Sequence, residues 1–278
     1  MYCNAACKKK HRHKHKKGCE EHIRLANEYA AELHDIELFK RPPPGEDCPI
    51  CFICLPTYCT GGRYMSCCGQ IICTGCIHAP VYDDQGNEVV EIKCPYCRTP
   101  APTTSEEAVE RGKKRVEAGD ALAIRKLGVY YRLGVYGFPQ DYTKALELWQ
   151  QAAELGCAGS YWDIGYLYEN GLGVERDKKK AVHYFELAAM EGDVNARGCL
   201  GVYEARAGKM DRALRHFMIS IRGGDNKSLE KIKGLYSNGY ATKEDYTKAL
   251  QLYQEYLGEI KSAQRDKAAA AYEDCRYY

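Results

Sequence analysis

The sequence predicts a mainly α-helical protein in which a small metal-stabilised module precedes a solenoid of helical repeats. Two observations carry this prediction. Ten of the sixteen cysteines lie between residues 48 and 97, and eight of the ten form four tight pairs. Farther along, alanines recur at steps of 36, 32 and 36 residues, at positions 145, 181, 213 and 249. Repeats of this period are typical of helical hairpins that stack to bury a continuous core.

Length and composition are consistent with two folded parts. The chain has 278 residues, of which 45% are apolar, so it can build a real core. It contains no apolar run of about 18 residues and no secretory signal, so we expect neither secretion nor a membrane partner. The expected localisation is cytoplasmic, nuclear or both. In such reducing compartments, clustered cysteines favour metal binding over disulfides.

The N-terminus is strongly basic. Residues 1–17 carry seven Lys or Arg and no acidic residue, while the remaining chain has 33 basic and 38 acidic residues, a net charge of −5. We interpret residues 1–18 as a disordered basic tail, because a run of like charges without apolar residues cannot offset the entropy of ordering. Nuclear import and salt-dependent contact with nucleic acid are alternative roles of the tail, but nucleic acid is not an expected partner.

A predicted amphipathic helix covers residues 19–41. Its apolar residues recur at intervals of three and four, among them Ile23, Leu33 and Ile36. The prolines that begin at Pro42 must end it, because proline lacks the N–H that a helix interior requires.

The four cysteine pairs predict two zinc ions. The pairs are Cys48 and Cys51, Cys67 and Cys68, Cys73 and Cys76, and Cys94 and Cys97. Three of them have the C-x2-C spacing, which presents two thiolates about 3.7 Å apart to a tetrahedral zinc with Zn–S bonds of about 2.3 Å. Sites of four thiolates are structural, because they leave no open coordination position for water.

The order CPIC, then Cys-Gly-x-x-Ile-Cys-x-x-Cys, then CPYCR resembles the RING finger family over residues 45–99. In that family the first and third pairs share one zinc, and the second and fourth share the other. This cross-brace surrounds a β-hairpin and a short helix. The resemblance implies one site made by Cys48, Cys51, Cys73 and Cys76, and a second made by Cys67, Cys68, Cys94 and Cys97.

The chain departs from the family pattern in two places. Gln70 stands where many RING fingers have a histidine ligand, so Cys67 takes the fourth position of the second site, with His78 as the alternative. The segment CFIC also fits the first pair, but CPIC is preferred because its proline begins the expected turn. Cys54 and Cys59 then remain as loop or core thiols.

RING fingers are ubiquitin-protein ligases that work without a covalent intermediate. They bind a ubiquitin-conjugating enzyme and hold its ubiquitin thioester in a reactive conformation. The resemblance implies that Ile50 and Pro95 contact the conjugating enzyme and that Arg98 bridges the enzyme and ubiquitin, a role suited to its planar fork of donors. The alternative roles are local packing for Ile50 and Pro95, and for Arg98 a surface charge that offsets the thiolates.

One feature opposes the ligase interpretation. Many active RING fingers carry a tryptophan between the sixth and seventh ligands, and residues 77–93 contain none. The alternative function is therefore a zinc-stabilised scaffold or adaptor that binds proteins without transferring ubiquitin.

The C-terminal part is predicted to be repetitive. Residues 100–116 are expected to form a linker and a connecting helix that Thr104 and Glu107 cap. Over residues 117–260 the pattern LGxxYxxG followed by KAxxxxxxAAxxG occurs in four versions and resembles the Sel1-like repeat, a relative of the tetratricopeptide repeat. Residues 261–278 are expected to form a C-terminal helix or tail.

The resemblance to Sel1-like repeats implies pairs of antiparallel helices that stack and bind a protein substrate or scaffold. Gly128, Gly165 and Gly201 are expected where helices cross closely. Most tyrosines at repeated positions are expected to pack in the core. Tyr136, Tyr161 and Tyr240 are candidates for a concave binding surface, because tyrosine offers a large contact area.

Overall fold

The computed structural model describes residues 12–43, 45–56, 61–79, 93–272 and 275–276, without the side chains of residues 12–19. The chain divides into two units, residues 1–40 and residues 41–278. The first unit is helix α1, Arg12–Leu38. It starts seven residues before the predicted boundary, so residues 12–18 are helical rather than part of a disordered tail. Lys and Arg are good helix formers, and each added residue extends the helix with one hydrogen bond.

The second unit begins with a small hairpin. Strand β1, Gly62–Met65, pairs antiparallel with strand β2, Gln70–Cys73, and Gly62 lies opposite Cys73. Helix α2, Thr74–His78, follows directly, and Cys73 caps it because its sulfur accepts the N–H of Cys76. The hairpin and helix therefore place Cys73 and Cys76 one turn apart.

The remaining elements are helices. They are α3 Ser105–Glu117, α4 Ala121–Leu133, α5 Tyr142–Glu154, α6 Ala158–Asn170, α7 Lys178–Met190, α8 Val194–Arg206, α9 Met210–Arg222, α10 Asn226–Ser237, α11 Lys243–Ile260 and α12 Ala263–Ala271. Thr104 caps α3 by accepting the N–H of Glu107 at 3.2 Å, as predicted. The Glu107 carboxylate, however, accepts from Thr103 rather than from Thr104.

Helices α4 to α11 form four antiparallel hairpins, which match the four predicted repeats. The loop inside the second hairpin covers seven residues, 171–177, and the loop inside the third covers three, 207–209. This difference of four residues accounts for the single 32-residue step in the alanine spacing. The prediction of a mainly α-helical solenoid is therefore confirmed.

Glycines allow the two helices of a hairpin to cross closely. A Cβ on Gly128 would lie 2.5 Å from Trp149, and one on Gly165 would lie 2.7 Å from Phe185. Gly201 meets Phe217 in the same way. The buried alanines of the second helices complete the core: Ala145, Ala152, Ala181, Ala188 and Ala213 are fully buried. Among the described residues, no helix is long and apolar enough to cross a bilayer.

Candidate zinc centre

Eight cysteines of the second unit come together in two groups. Cys48, Cys51, Cys73 and Cys76 form the first group, and Cys67, Cys68, Cys94 and Cys97 form the second. Within each group all four sulfur atoms lie within 4.8 Å of one another. The groups interleave along the sequence, because the first joins pairs one and three and the second joins pairs two and four. These are the two ligand sets that the RING resemblance implies.

The sulfur positions fit a tetrahedral zinc. Sγ–Sγ distances are 3.8 Å for Cys51 and Cys73, and 3.9 Å for Cys68 and Cys94. A tetrahedral ion with Zn–S bonds of about 2.3 Å requires sulfur atoms about 3.8 Å apart. Thiolate is also the donor that selects zinc over harder divalent cations. The residues present therefore suit two structural zinc ions.

The first and fourth pairs are presented by two loops of identical backbone pattern. In the first loop, the N–H of Cys48 donates to Ile53 and its carbonyl accepts from Phe52. In the second, Cys94 makes the equivalent bonds with Thr99 and Arg98. Each loop is closed by one isolated β-bridge, between residues 47 and 54 and between residues 93 and 100.

The residue after the second cysteine of three pairs has a left-handed backbone. The φ angles are +55° for Phe52, +76° for Gly69 and +62° for Arg98. Such angles are uncommon for residues with a Cβ, and they turn the chain back after each pair. The shared turn explains how different sequences bring both cysteines of a pair into one group.

The structure also places the residues whose assignment the sequence left open. Cys54 belongs to neither group, and its sulfur contacts the Leu55 carbonyl at 3.7 Å. His78 lies 3.2 Å from the sulfur of Cys275 and stacks on Tyr272, while Cys67 lies in the second group, 3.4 Å from Cys97. The geometry thus agrees better with CPIC than with CFIC as the first pair, and better with Cys67 than with His78 as a member of the second group. Cys59 lies outside the described residues.

Backbone donors favour the thiolate form of Cys48. Burial alone would raise the pKa of its thiol, but backbone N–H groups of Cys51, Cys73 and Ile50 outweigh burial and lower the pKa to about 7. Hydrogen bonds to the charged form favour that form. Since the thiolate is the metal ligand, these donors favour the state that holds an ion.

The three predicted partner-binding residues lie in the two equivalent loops. Ile50 is half-buried and packs against the cluster that contains Cys48 and Ile72. Pro95 is half-buried, and Arg98 is exposed. Sequence reasoning missed Phe52, which is 78% exposed although it is large and apolar. Nothing in the sequence indicates this exposure, because the left-handed backbone at Phe52 is a feature of the folded loop.

The hairpin is tied to the first helices of the repeats by Asp120. One carboxylate oxygen accepts the backbone N–H groups of Leu122 and Ala123 and so caps α4. The other accepts the Tyr64 hydroxyl at 2.9 Å and pairs with Arg115 at 2.7 Å. One side chain therefore joins β1, α3 and α4.

A second candidate site lies among the first helices of the last three hairpins. It is a cavity of about 350 Å³ between α6, α8 and α10. Trp162, Tyr203 and Phe217 provide its aromatic lining. Tyr136, Tyr161 and Tyr240 are not among its lining residues, and their place on a concave binding surface stays a prediction. Lys227 and Lys231 of α10 lie at the same cavity.

Comparison with known proteins identifies the helical part. The Sel1 repeat family matches residues 121–157, 158–193 and 234–255. The chain contains Sel1 repeats. The first two matched segments coincide with the hairpins α4–α5 and α6–α7, and the third covers the last turn of α10 and most of α11. The match lies entirely within the predicted repeat region, so it bears on the solenoid and not on the cysteine module.

Two relatives carry similar Sel1 sequences. The ERAD-associated E3 ubiquitin-protein ligase component HRD3B of Arabidopsis thaliana is 35% identical over 103 residues, 37% of this chain and 16% of that protein. Its namesake HRD3 of Candida glabrata is 32% identical over 115 residues, 37% of this chain and 13% of that protein. The similarity thus spans less than a fifth of either relative. The solved Sel1 repeat protein from Oxalobacter formigenes is 26% identical, with a TM-score of 0.47, over 61% of this chain and 66% of that one.

Proposed function

We propose that this Sel1-repeat protein is a RING-type ubiquitin-protein ligase of the cytoplasm or nucleus. In this proposal residues 45–99 bind two Zn2+ ions and a ubiquitin-conjugating enzyme, and the repeats hold a protein substrate or scaffold. The observation that carries the proposal is the interleaving of the two cysteine groups. Two independent metal sites would pair neighbours along the chain, whereas a cross-brace must join alternate pairs.

Zinc, when bound, would supply structure rather than reactivity, because four thiolates complete its coordination. The surrounding residues would do the recognition. Ile50 and Pro95 each lie between the two cysteines of a pair, in two loops of the same backbone pattern, and offer apolar contact. Arg98 is exposed beside the last cysteine and offers a fork of donors to two partners at once. Such a module accelerates transfer by positioning its partners.

The second candidate function is a protein-binding scaffold without ligase activity. Two observations favour it. Ile50 packs against the cysteine cluster. A module without ligase activity would need Ile50 only for this local packing. The two relatives are named as components of a ligase, and their similarity supports protein binding by the Sel1 repeats.

The test is discharge of ubiquitin from a panel of loaded conjugating enzymes onto free lysine. We expect the purified protein to accelerate discharge with at least one enzyme, and Arg98→Ala to abolish most of the acceleration. Arg63→Ala is the matched control, because Arg63 is also exposed and lies in the same module. Arg98→Lys should restore little activity, since lysine keeps the charge but not the fork. No acceleration by protein that holds both zinc ions would establish the scaffold function instead.

A further inference from the structure

A buried arginine from the far end of the chain reaches the first cysteine group. Arg265 lies on α12 and is 0% exposed. Its Nη1 donates to the carbonyls of Cys54 at 2.6 Å and Ile260 at 2.7 Å. Its Nη2 donates to the Ile53 carbonyl at 3.0 Å and lies 4.0 Å from the sulfur of Cys51. More than two hundred residues separate this arginine from the loop that it holds.

The charge of Arg265 has no carboxylate partner among the described residues. A buried charge is costly unless an opposite charge compensates it, and carbonyl dipoles meet only part of that need. A group beside it that can carry a negative charge is the thiol of Cys51, whose sulfur lies 4.0 Å from Nη2. Four thiolates around one Zn2+ carry a net charge of −2.

The helix that carries Arg265 is seated on the helix that carries Cys76. A Cβ on Gly75 would lie 2.7 Å from the backbone nitrogen of Arg265, so the two helices meet at backbone distance. Next to it, the sulfur of Cys76 lies 3.8 Å from Oε1 of Gln264. The His78 ring stacks on Tyr272 with centroids 4.4 Å apart. Three residues of α2, Gly75, Cys76 and His78, are thus in contact with the C-terminal segment.

We propose that Arg265 is the counter-cation of the first zinc site and that docking of α12 is required for this site to retain its metal. Among the residues that the structure describes, the second site has no equivalent contact with α12, so the two sites should differ in their dependence on it. The C-terminal helix then controls the first site specifically, and undocking it exposes a doubly negative cluster to water and chelators. The inference rests on the zinc binding proposed above and is independent of ligase activity.

The experiment measures zinc release from the full-length protein to a chromogenic chelator. We expect Arg265→Met to accelerate release of one of the two zinc ions by about 10- to 100-fold, the range typical of lost outer-sphere partners, and to leave the other unchanged. Arg265→Lys keeps a buried charge without the fork and should give an intermediate rate. The matched control is Arg197→Met, because Arg197 is also buried, with 1% exposure, and lies on α8 in the third hairpin.

A second measurement assigns the affected site. With cadmium-113 in place of zinc, the wild-type protein should give two resonances, and Arg265→Met should shift only one of them. Equal release rates for wild type and Arg265→Met would overturn the inference, and so would equal acceleration in Arg265→Met and Arg197→Met. A wild-type protein that binds no zinc would overturn both the inference and the proposed function. If Arg265→Met holds two zinc ions and releases both at the wild-type rate, the inference is wrong but the proposed function stands.

Discussion

Asp120 offers the sharpest test of how the cysteine module is attached to the repeats. Asp120→Ala removes a helix cap and, at the same time, the hydrogen bond from Tyr64 and the ion pair with Arg115. Loss of an aspartate cap costs about 1 kcal/mol, and loss of hydrogen bonds to a charged group costs about 1.5–3 kcal/mol. Arg115 is one-third exposed and regains water, so we expect a total loss of about 3 kcal/mol.

Asp141 provides the matched control because it is also an aspartate cap. Its side chain accepts only the Lys144 N–H at 2.8 Å, so Asp141→Ala should cost about 1 kcal/mol. The assay is the free energy of unfolding from urea titrations of both variants, with zinc content measured in parallel. The reasoning is wrong if the two variants lose the same stability within about 0.5 kcal/mol, or if Asp120→Ala loses zinc, which Asp120 does not contact.

The stability that Asp120 contributes should depend on pH, and the direction of its pKa shift fixes the sign of that dependence. Burial by itself would raise the pKa of Asp120, but Arg115, the Ala123 N–H and Tyr64 together hold the pKa below its ordinary value. A group with a lowered folded pKa stabilises the protein above its unfolded pKa of about 3.9 and loses that contribution as pH falls through the folded value. The stability difference between wild type and Asp120→Ala should therefore shrink in acid.

Two further predictions concern the metal sites and the core. Cys51→Ser should reduce the metal content from two zinc ions to one, whereas Cys54→Ser should retain two, and equal loss in both variants would contradict the ligand assignment. Burial, followed by the charges of nearby arginines, lowers the pKa of His216 to about 3. Because the unfolded residue takes up a proton near pH 6.5, stability should fall by about 2 kcal/mol from pH 7 to pH 5. His216→Gln should remove this slope in urea titrations at the two pH values.

Local patterns explain what could be predicted from the sequence. The cysteines of each pair are separated by at most two residues, so the sequence indicates which sulfurs lie together in the two groups without knowledge of the fold. The 36-residue period identifies the helical hairpins, and Gly165 identifies a close crossing because only a missing side chain leaves room for Phe185. These signals lie within a few residues of one another or repeat along the chain.

Long-range contacts explain what could not be predicted. Arg265 lies in a short helix of alanines and charged residues, where an arginine is ordinarily a solvated side chain. Only the packing of α12 on α2 gives it a buried role. Asp120 reads as a helix cap, and nothing near it in the sequence indicates that its second oxygen binds Tyr64 of the hairpin. The sequence does not indicate the early start of α1, because two effects oppose each other there. Repulsion between the basic residues opposes ordering, whereas the helix propensity of Lys and Arg and propagation from the adjoining helix favour it.

The two attachments together determine how the module would present a partner. Tyr64 joins the hairpin to helices at the start of the repeats, and Arg265 joins the first loop to helices at their end. Arg111 also donates to the Pro100 carbonyl at 2.7 Å and fixes the connecting segment. A conjugating enzyme bound beside Arg98 would then stand in a fixed orientation relative to the cavity between α6, α8 and α10. Because positioning is the source of rate in such a ligase, rigid attachment would restrict transfer to those lysines of a bound protein that this fixed geometry brings within reach.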